Sequence, residues 1–152
     1  MNSFCELLQL ISSGILGLFV GALLAEGALL VPYWRTLPAD KFFSLHKEYG
    51  PRLYSFYAPL TIAATMLAVT TAIVCLLTFH SGRWSSLVVG ILAVLMVAIY
   101  FFYFKHANAK FAAASISAAE LPIELARWAI WHWVRVAVGL LAFIASLIAL
   151  GQ

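Results

Sequence analysis

Charge is scarce in this chain. Only 10% of its 152 residues are Asp, Glu, Lys or Arg, where a soluble domain carries roughly 25%. With 64% of residues hydrophobic, there is too little polar surface to clothe a water-soluble fold. Cysteine is nearly absent: Cys5 and Cys75 have no metal-ligand spacing. No Lys or Arg precedes Arg35, so the start of the chain lacks the basic region of a signal peptide. Its first apolar stretch is also too long for a signal core, and it reads as a retained span. Internal repeats and low-complexity tails are missing as well.

What is present is four long apolar stretches, at about 8–31, 53–79, 87–104 and 129–150. Each approaches or exceeds the ~20 residues with which an α-helix crosses the hydrocarbon of a bilayer. In lipid, backbone groups must be satisfied within the segment, so these stretches are expected to be helices. The fold class is therefore all-α. Residues 1–152 form a single integral membrane domain, a four-transmembrane-helix bundle whose first partner is the lipid bilayer. A short amphipathic helix is expected in the first connection, over 39–49. Phe42, Leu45, His46 and Tyr49 share one of its faces, and Gly50-Pro51 is expected to end it.

The net charge of +3 does not point to nucleic acid, because the cations follow a membrane pattern. Arg35, Lys41, Lys47 and Arg52 lie in or beside the first connection. Lys105, Lys110, Arg127 and Arg135 lie in the third or just inside the fourth span, and only Arg83 lies in the second. The positive-inside rule puts the first and third connections in the cytoplasm and both termini outside. In a bacterium this is a multi-pass protein of the inner membrane. The same topology brings Cys5 and Cys75 toward the outer side, which allows a disulfide. Span one carries a small-residue seam, Gly14, Gly17, Gly21, Ala25 and Ala28. Such seams serve packing inside a bundle or a homo-oligomer contact.

Polar residues inside the spans need a reason. Glu26 and Arg135 each sit well inside an apolar run, at a cost of about 2.5–3.5 kcal/mol apiece on insertion scales. A mutual ion pair offsets this. Trp128, His132 and Arg135 share a face of span four at i, i+4 and i+7. Four antiparallel helices bring Glu26, His46, His106, Asn108, His132 and Arg135 to one end. Three chemistries fit a cavity there. His46, His106, His132 and Glu26 could hold a transition metal. A buried carboxylate or imidazole could act as a general base, with Arg135 and Asn108 steadying the resulting anion. Aromatic walls from Trp34, Tyr49, Tyr54, Trp128 and Trp131 could bind a flat hydrophobic aromatic molecule.

At these residues the chain resembles the anthrone-oxygenase-like family of small four-helix membrane proteins. The likeness rests on Gly21-Ala22…Glu26…Pro32, on His46-x-x-Tyr49-x-x-Arg52 and on Pro59. It continues in His106-Ala107-Asn108-Ala109-Lys110 and in Arg127-Trp128-x₃-His132-x₂-Arg135, the most distinctive part. Lys105-His106-Ala107 stands where the family often has a proline. The resemblance implies an oxygenase that converts an aromatic, anthrone-type substrate to a quinone, with His132 or Glu26 as base and O₂ as co-substrate. It requires no cofactor, because the substrate anion is itself the reductant. Two other readings stay open on the residues: a metal- or haem-binding membrane redox protein, and a non-enzymatic small membrane subunit or scaffold.

Overall fold

The structure, a computed structural model, describes residues 2–152. It is an all-α bundle of four helices, α1 (Ser3–Trp34), α2 (Ala39–Leu77), α3 (Arg83–Ala112) and α4 (Leu121–Leu150), each long and apolar enough to cross a membrane. The chain is a multi-pass membrane protein. The helices form a ring in which α1 packs on α2, α2 on α3, α3 on α4 and α4 back on α1, the up-down arrangement that short connections impose.

The connections are tight. Residues 35–38 join α1 to α2. The turn after α2 reverses through Phe79, whose φ of 52° is unusual for a residue with a side chain. The last connection, 113–120, ends in a reciprocal cap ahead of α4. Ser117 Oγ donates to Glu120 Oε2 at 2.7 Å, and the Glu120 N–H donates to Ser117 Oγ at 3.3 Å. These bonds hold the Glu120 carboxyl below the ordinary carboxylate range.

The amphipathic segment is not separate. It runs straight into the second span as one 39-residue helix through Gly50-Pro51 and Pro59. A proline normally pushes the residue before it out of the helical region by clashing with that residue's Cβ, and Gly50 has none. Phe42 is nevertheless fully buried, as its apolar face requires.

Two apolar clusters fill the bundle. One, in the middle, gathers Leu16, Phe19, Leu23, Ala64, Ala68, Met96 and Val136. The other lies at the end with the first and third connections, around Trp34, Phe42, Phe104, Phe111, Leu125 and Trp128. Gly139 lets α4 close on its neighbours, since a Cβ there would stand 3.0 Å from Val20 and 3.2 Å from Met96. The small-residue seam of α1 mostly does not pack inside. Gly14, Gly21, Ala25 and Ala28 face outward, and of the seam's glycines only Gly17 is closely approached: a Cβ there would stand 2.9 Å from Phe143. The helix turns its larger residues, Leu16, Phe19 and Leu23, to the core instead.

At the opposite end Cys5 and Cys75 form a disulfide between α1 and α2, with Cα atoms 5.6 Å apart. His80 is buried beside them, and its Nδ1 accepts from the Gly82 N–H at 3.1 Å.

Candidate functional site

Two helical turns widen at the same end of the bundle. In α1, Glu26–Leu30 adopts π-helical bonding, with the Val31 N–H donating to the Glu26 carbonyl. In α3, Tyr100–Phe104 does the same, with the Lys105 N–H reaching the Tyr100 carbonyl. Each inserts an extra residue per turn and re-aims the side chains it carries. Such bulges concentrate at functional sites. One opens with Glu26. The other packs five consecutive aromatic residues around the helix.

Between these turns and α2 lies a cavity of about 610 Å³, within the 300–1,000 Å³ range of small-molecule sites. Glu26, Tyr57, Tyr100, Asn108 and Arg135 supply its polar groups, and Trp34, Tyr54, Phe104 and Trp128 its aromatic walls. Glu26 is buried, at 6% exposure. Its Oε2 lies 3.6 Å from Arg135 Nη2 and 3.7 Å from His132 Nδ1. These contacts are longer than hydrogen bonds. Glu26 Oε2, His132 Nδ1 and Arg135 Nε are all buried without a hydrogen-bond partner. Three buried polar atoms without partners make this an ion pair held loosely, not one closed by hydrogen bonds. The Arg135 guanidinium also lies over the Phe104 ring, 4.5 Å from its centroid.

Helix α1 is gripped just before Glu26. Tyr57 donates to the Ala22 carbonyl at 3.0 Å, and His132 Nε2 lies 2.8 Å from the Leu23 carbonyl. Since a carbonyl only accepts, Nε2 carries a proton. The His132 ring stacks on Trp128 with centroids 5.0 Å apart. Trp128 Nε1 in turn donates to Asn108 Oδ1 at 3.0 Å, leaving the Asn108 amide NH₂ as a free donor. Gly27 makes room for this set. A Cβ there would meet His132 at 3.0 Å.

Of the residues expected from sequence, Glu26, Arg135 and Asn108 line the cavity, as do Trp34, Tyr54 and Trp128. His132 does not. It is completely buried behind Glu26, so it cannot touch a ligand directly. Tyr49 is exposed and sits against Arg52 instead, with the guanidinium 5.1 Å from its ring centroid. Trp131 stacks on Tyr103, away from the cavity lining. The expected metal set does not assemble. His106 is exposed, and His46 lines the cavity while leaning on Phe42 and Phe111. No three of His46, His106, His132 and Glu26 bring ligand atoms within 4.8 Å of one another. The reason is their spread over different turns: sharing one end of a bundle does not give one focus. Among the described residues, the group that does converge is Cys5, Cys75 and His80, whose sulfurs are bonded to each other.

Sequence reasoning did not single out Tyr57 and Tyr100. Their signal was spacing, since Tyr54, Ala58, Thr61 and Thr65 put Tyr57 on the inward edge of α2. It also passed over a second polar cluster, Gln9, Ser12, Ser13, Thr71, Ser86 and Ser146, buried toward the disulfide end. Gln9 Nε2 donates to Ser86 Oγ at 3.0 Å. The void there, about 10 Å³, holds no more than one water. Comparison with protein-family models, with curated proteins and with solved structures finds no match to this chain.

Proposed function

We propose that this protein is a small membrane oxygenase that takes a flat, enolisable aromatic substrate and oxidises it to a quinone with O₂. One observation carries this reading: a buried carboxylate and a buried guanidinium, 3.6 Å apart, line a ligand-sized aromatic cavity. A base beside a cation, shielded from water, suits removal of a weakly acidic C–H and stabilisation of the anion formed.

Glu26 is the base, because it borders the cavity and His132 does not. With an anthrone-type substrate, its carboxylate takes one proton from the CH₂ across the ring from the carbonyl. The resulting enolate passes one electron to O₂, and the radical pair joins to form a C–O bond. The peroxide anion recovers the proton from Glu26. Glu26 then removes the remaining proton of that carbon as the O–O bond breaks. The departing hydroxide takes this proton and leaves as water. Substrate plus O₂ thus gives quinone plus water. Arg135 provides positive charge where oxygen is reduced. The free Asn108 amide donates to the substrate oxygen, and Trp34, Phe104 and Trp128 hold the rings.

The experiment is turnover of an anthrone by the purified protein, read as quinone absorbance and O₂ uptake. Glu26→Gln should lower kcat/KM by about 10²–10⁴ when assayed well below the melting temperature of the variant. An undiminished rate in that variant would overturn the assignment.

The cavity belongs to the cytoplasmic side in this reading. Arg35, Lys41, Lys47, Lys105 and Lys110 cluster at its end. The Cys5–Cys75 disulfide at the other end requires an oxidising compartment. Both termini then lie outside, as in a bacterial inner membrane.

A further inference from the structure

We infer that the cavity is loaded sideways from the bilayer, and that its natural ligand is a lipid-dissolved amphiphile: a ring with an ionisable oxygen carrying an apolar chain. This rests on the reading of the Glu26–Arg135 cavity as a ligand site.

The argument is one of placement. Tyr54, Ile62 and Met66 of α2 and Phe101 of α3 line the same cavity as Glu26 and Arg135. Yet they are 62%, 62%, 62% and 55% exposed on the outside of the bundle. A residue can be both only at a mouth. Tyr54, Ala58, Ile62 and Met66 recur every four residues, one stripe along α2 that covers about 18 Å at helical rise. This stripe lies within the apolar second span, so acyl chains rather than water border the opening.

Lys47, at the cationic end of the bundle, lines the cavity too. The slot therefore runs from the headgroup level toward the bilayer centre along the α2–α3 groove, while Glu26 of α1 and Arg135 of α4 stand on the wall opposite that groove. The π-helical turn at Tyr100–Phe104 divides the aromatic residues of α3 accordingly. Tyr100 and Phe104 turn inward, and Phe101 stands at the mouth. A bare ring system would occupy only the polar region and leave the stripe of Ile62 and Met66 to the acyl chains of the bilayer. A ring with an apolar chain fills both, its oxygen toward Arg135 and its chain leaving between α2 and α3.

The test uses the full-length protein in lipid nanodiscs. The probes are a hydroquinone bearing a decyl chain and the same hydroquinone without it, and binding is read by quenching of Trp34 and Trp128 fluorescence in protein whose Trp84, Trp131 and Trp133 are replaced by Phe. Both probes should bind saturably. Met66→Phe, or Ile62→Phe as a second variant, should weaken the decyl probe about tenfold, the scale of overpacking a filled groove. The chainless probe should bind either variant as it binds wild type. Should both probes lose affinity equally, or neither respond, the lateral mouth is refuted while the ligand site stands. Should neither probe bind wild type, the ligand site itself fails and this inference with it.

Discussion

His132 Nδ1 lies 3.7 Å from Glu26 Oε2, while the Nε2 of the same ring bonds to the Leu23 carbonyl at 2.8 Å. The backbone therefore fixes the proton on Nε2. Nδ1 and the carboxylate attract only when one further proton lies on either of them. Otherwise a lone pair faces a negative charge. His132 thus anchors α1, and in the proposed mechanism it acts through Glu26, as a positioning residue beside the cavity.

Gly27 is the lever on this contact. An alanine Cβ there would stand 3.0 Å from His132 Cδ2 and 3.1 Å from Nε2, so the ring must shift and its bond to Leu23 weakens. Gly27→Ala is expected to cost about 1–3 kcal/mol and to lower turnover. Gly21→Ala, where nothing lies within 4 Å, should change stability by no more than about 0.5 kcal/mol. Thermal unfolding of the two variants in one detergent checks this. Equal losses would refute the packing argument.

The Glu26–Arg135 pair makes a second expectation. Each partner is buried, and removing one strands the other charge. Glu26→Gln and Arg135→Gln are each expected to cost about 3–5 kcal/mol. The double variant should lose clearly less than the sum, because no charge is left uncompensated. Unfolding free energies for the three variants decide it, and strict additivity would mean that the two groups are independent despite their 3.6 Å separation.

The bundle itself was legible in the sequence, because lipid leaves a long apolar run no alternative to a helix. The pairing of Glu26 with Arg135 was legible for the same reason, since two costly charges at one depth need each other. What could not be read was which way side chains point within a turn. His132 shares the Arg135 face of α4 by spacing. Even so, the widened turn at Glu26 and the absence of a Cβ at Gly27 draw its ring to the α1 backbone instead of the cavity. Pattern reasoning assumes a regular 3.6-residue repeat, and both irregular turns occur where that assumption matters most. The seam of α1 mostly does not serve packing inside the chain, which leaves its reading as a contact between copies. Small residues mark close approach only if a neighbour is there, and beside Gly14 and Gly21 there is none within the chain.

Orientation in the membrane is testable with single cysteines on the double Cys→Ser background. Ser81 and Ser117 are both exposed, at opposite ends of the bundle. In intact cells a membrane-impermeant maleimide should label Ser81→Cys at once and Ser117→Cys only after permeabilisation. The reverse order would put the cavity on the outer side and remove the argument from the positive charges.

The disulfide should matter to stability and not to the cavity. It closes a loop between residues 70 apart in sequence, for which the chain-entropy relation gives about 4 kcal/mol. The unfolded reference here keeps its helices in lipid and is less free than a coil, so a loss of about 2–4 kcal/mol is expected. Cys5 and Glu26 stand about 30 Å apart along α1 at helical rise. The packed layer of Leu16, Phe19, Ala64, Ala68, Met96 and Val136 lies between the two ends. That layer is filled mainly by apolar side chains, so opening the Cys5–Cys75 link is expected to leave the Glu26 carboxylate in place. The joint variant Cys5→Ser, Cys75→Ser should melt at a lower temperature yet bind the decyl hydroquinone with wild-type affinity. An unchanged melting temperature would show that the link adds nothing to the α1–α2 contact. A changed affinity would show that the two ends of the bundle are coupled through a core that packing alone makes rigid.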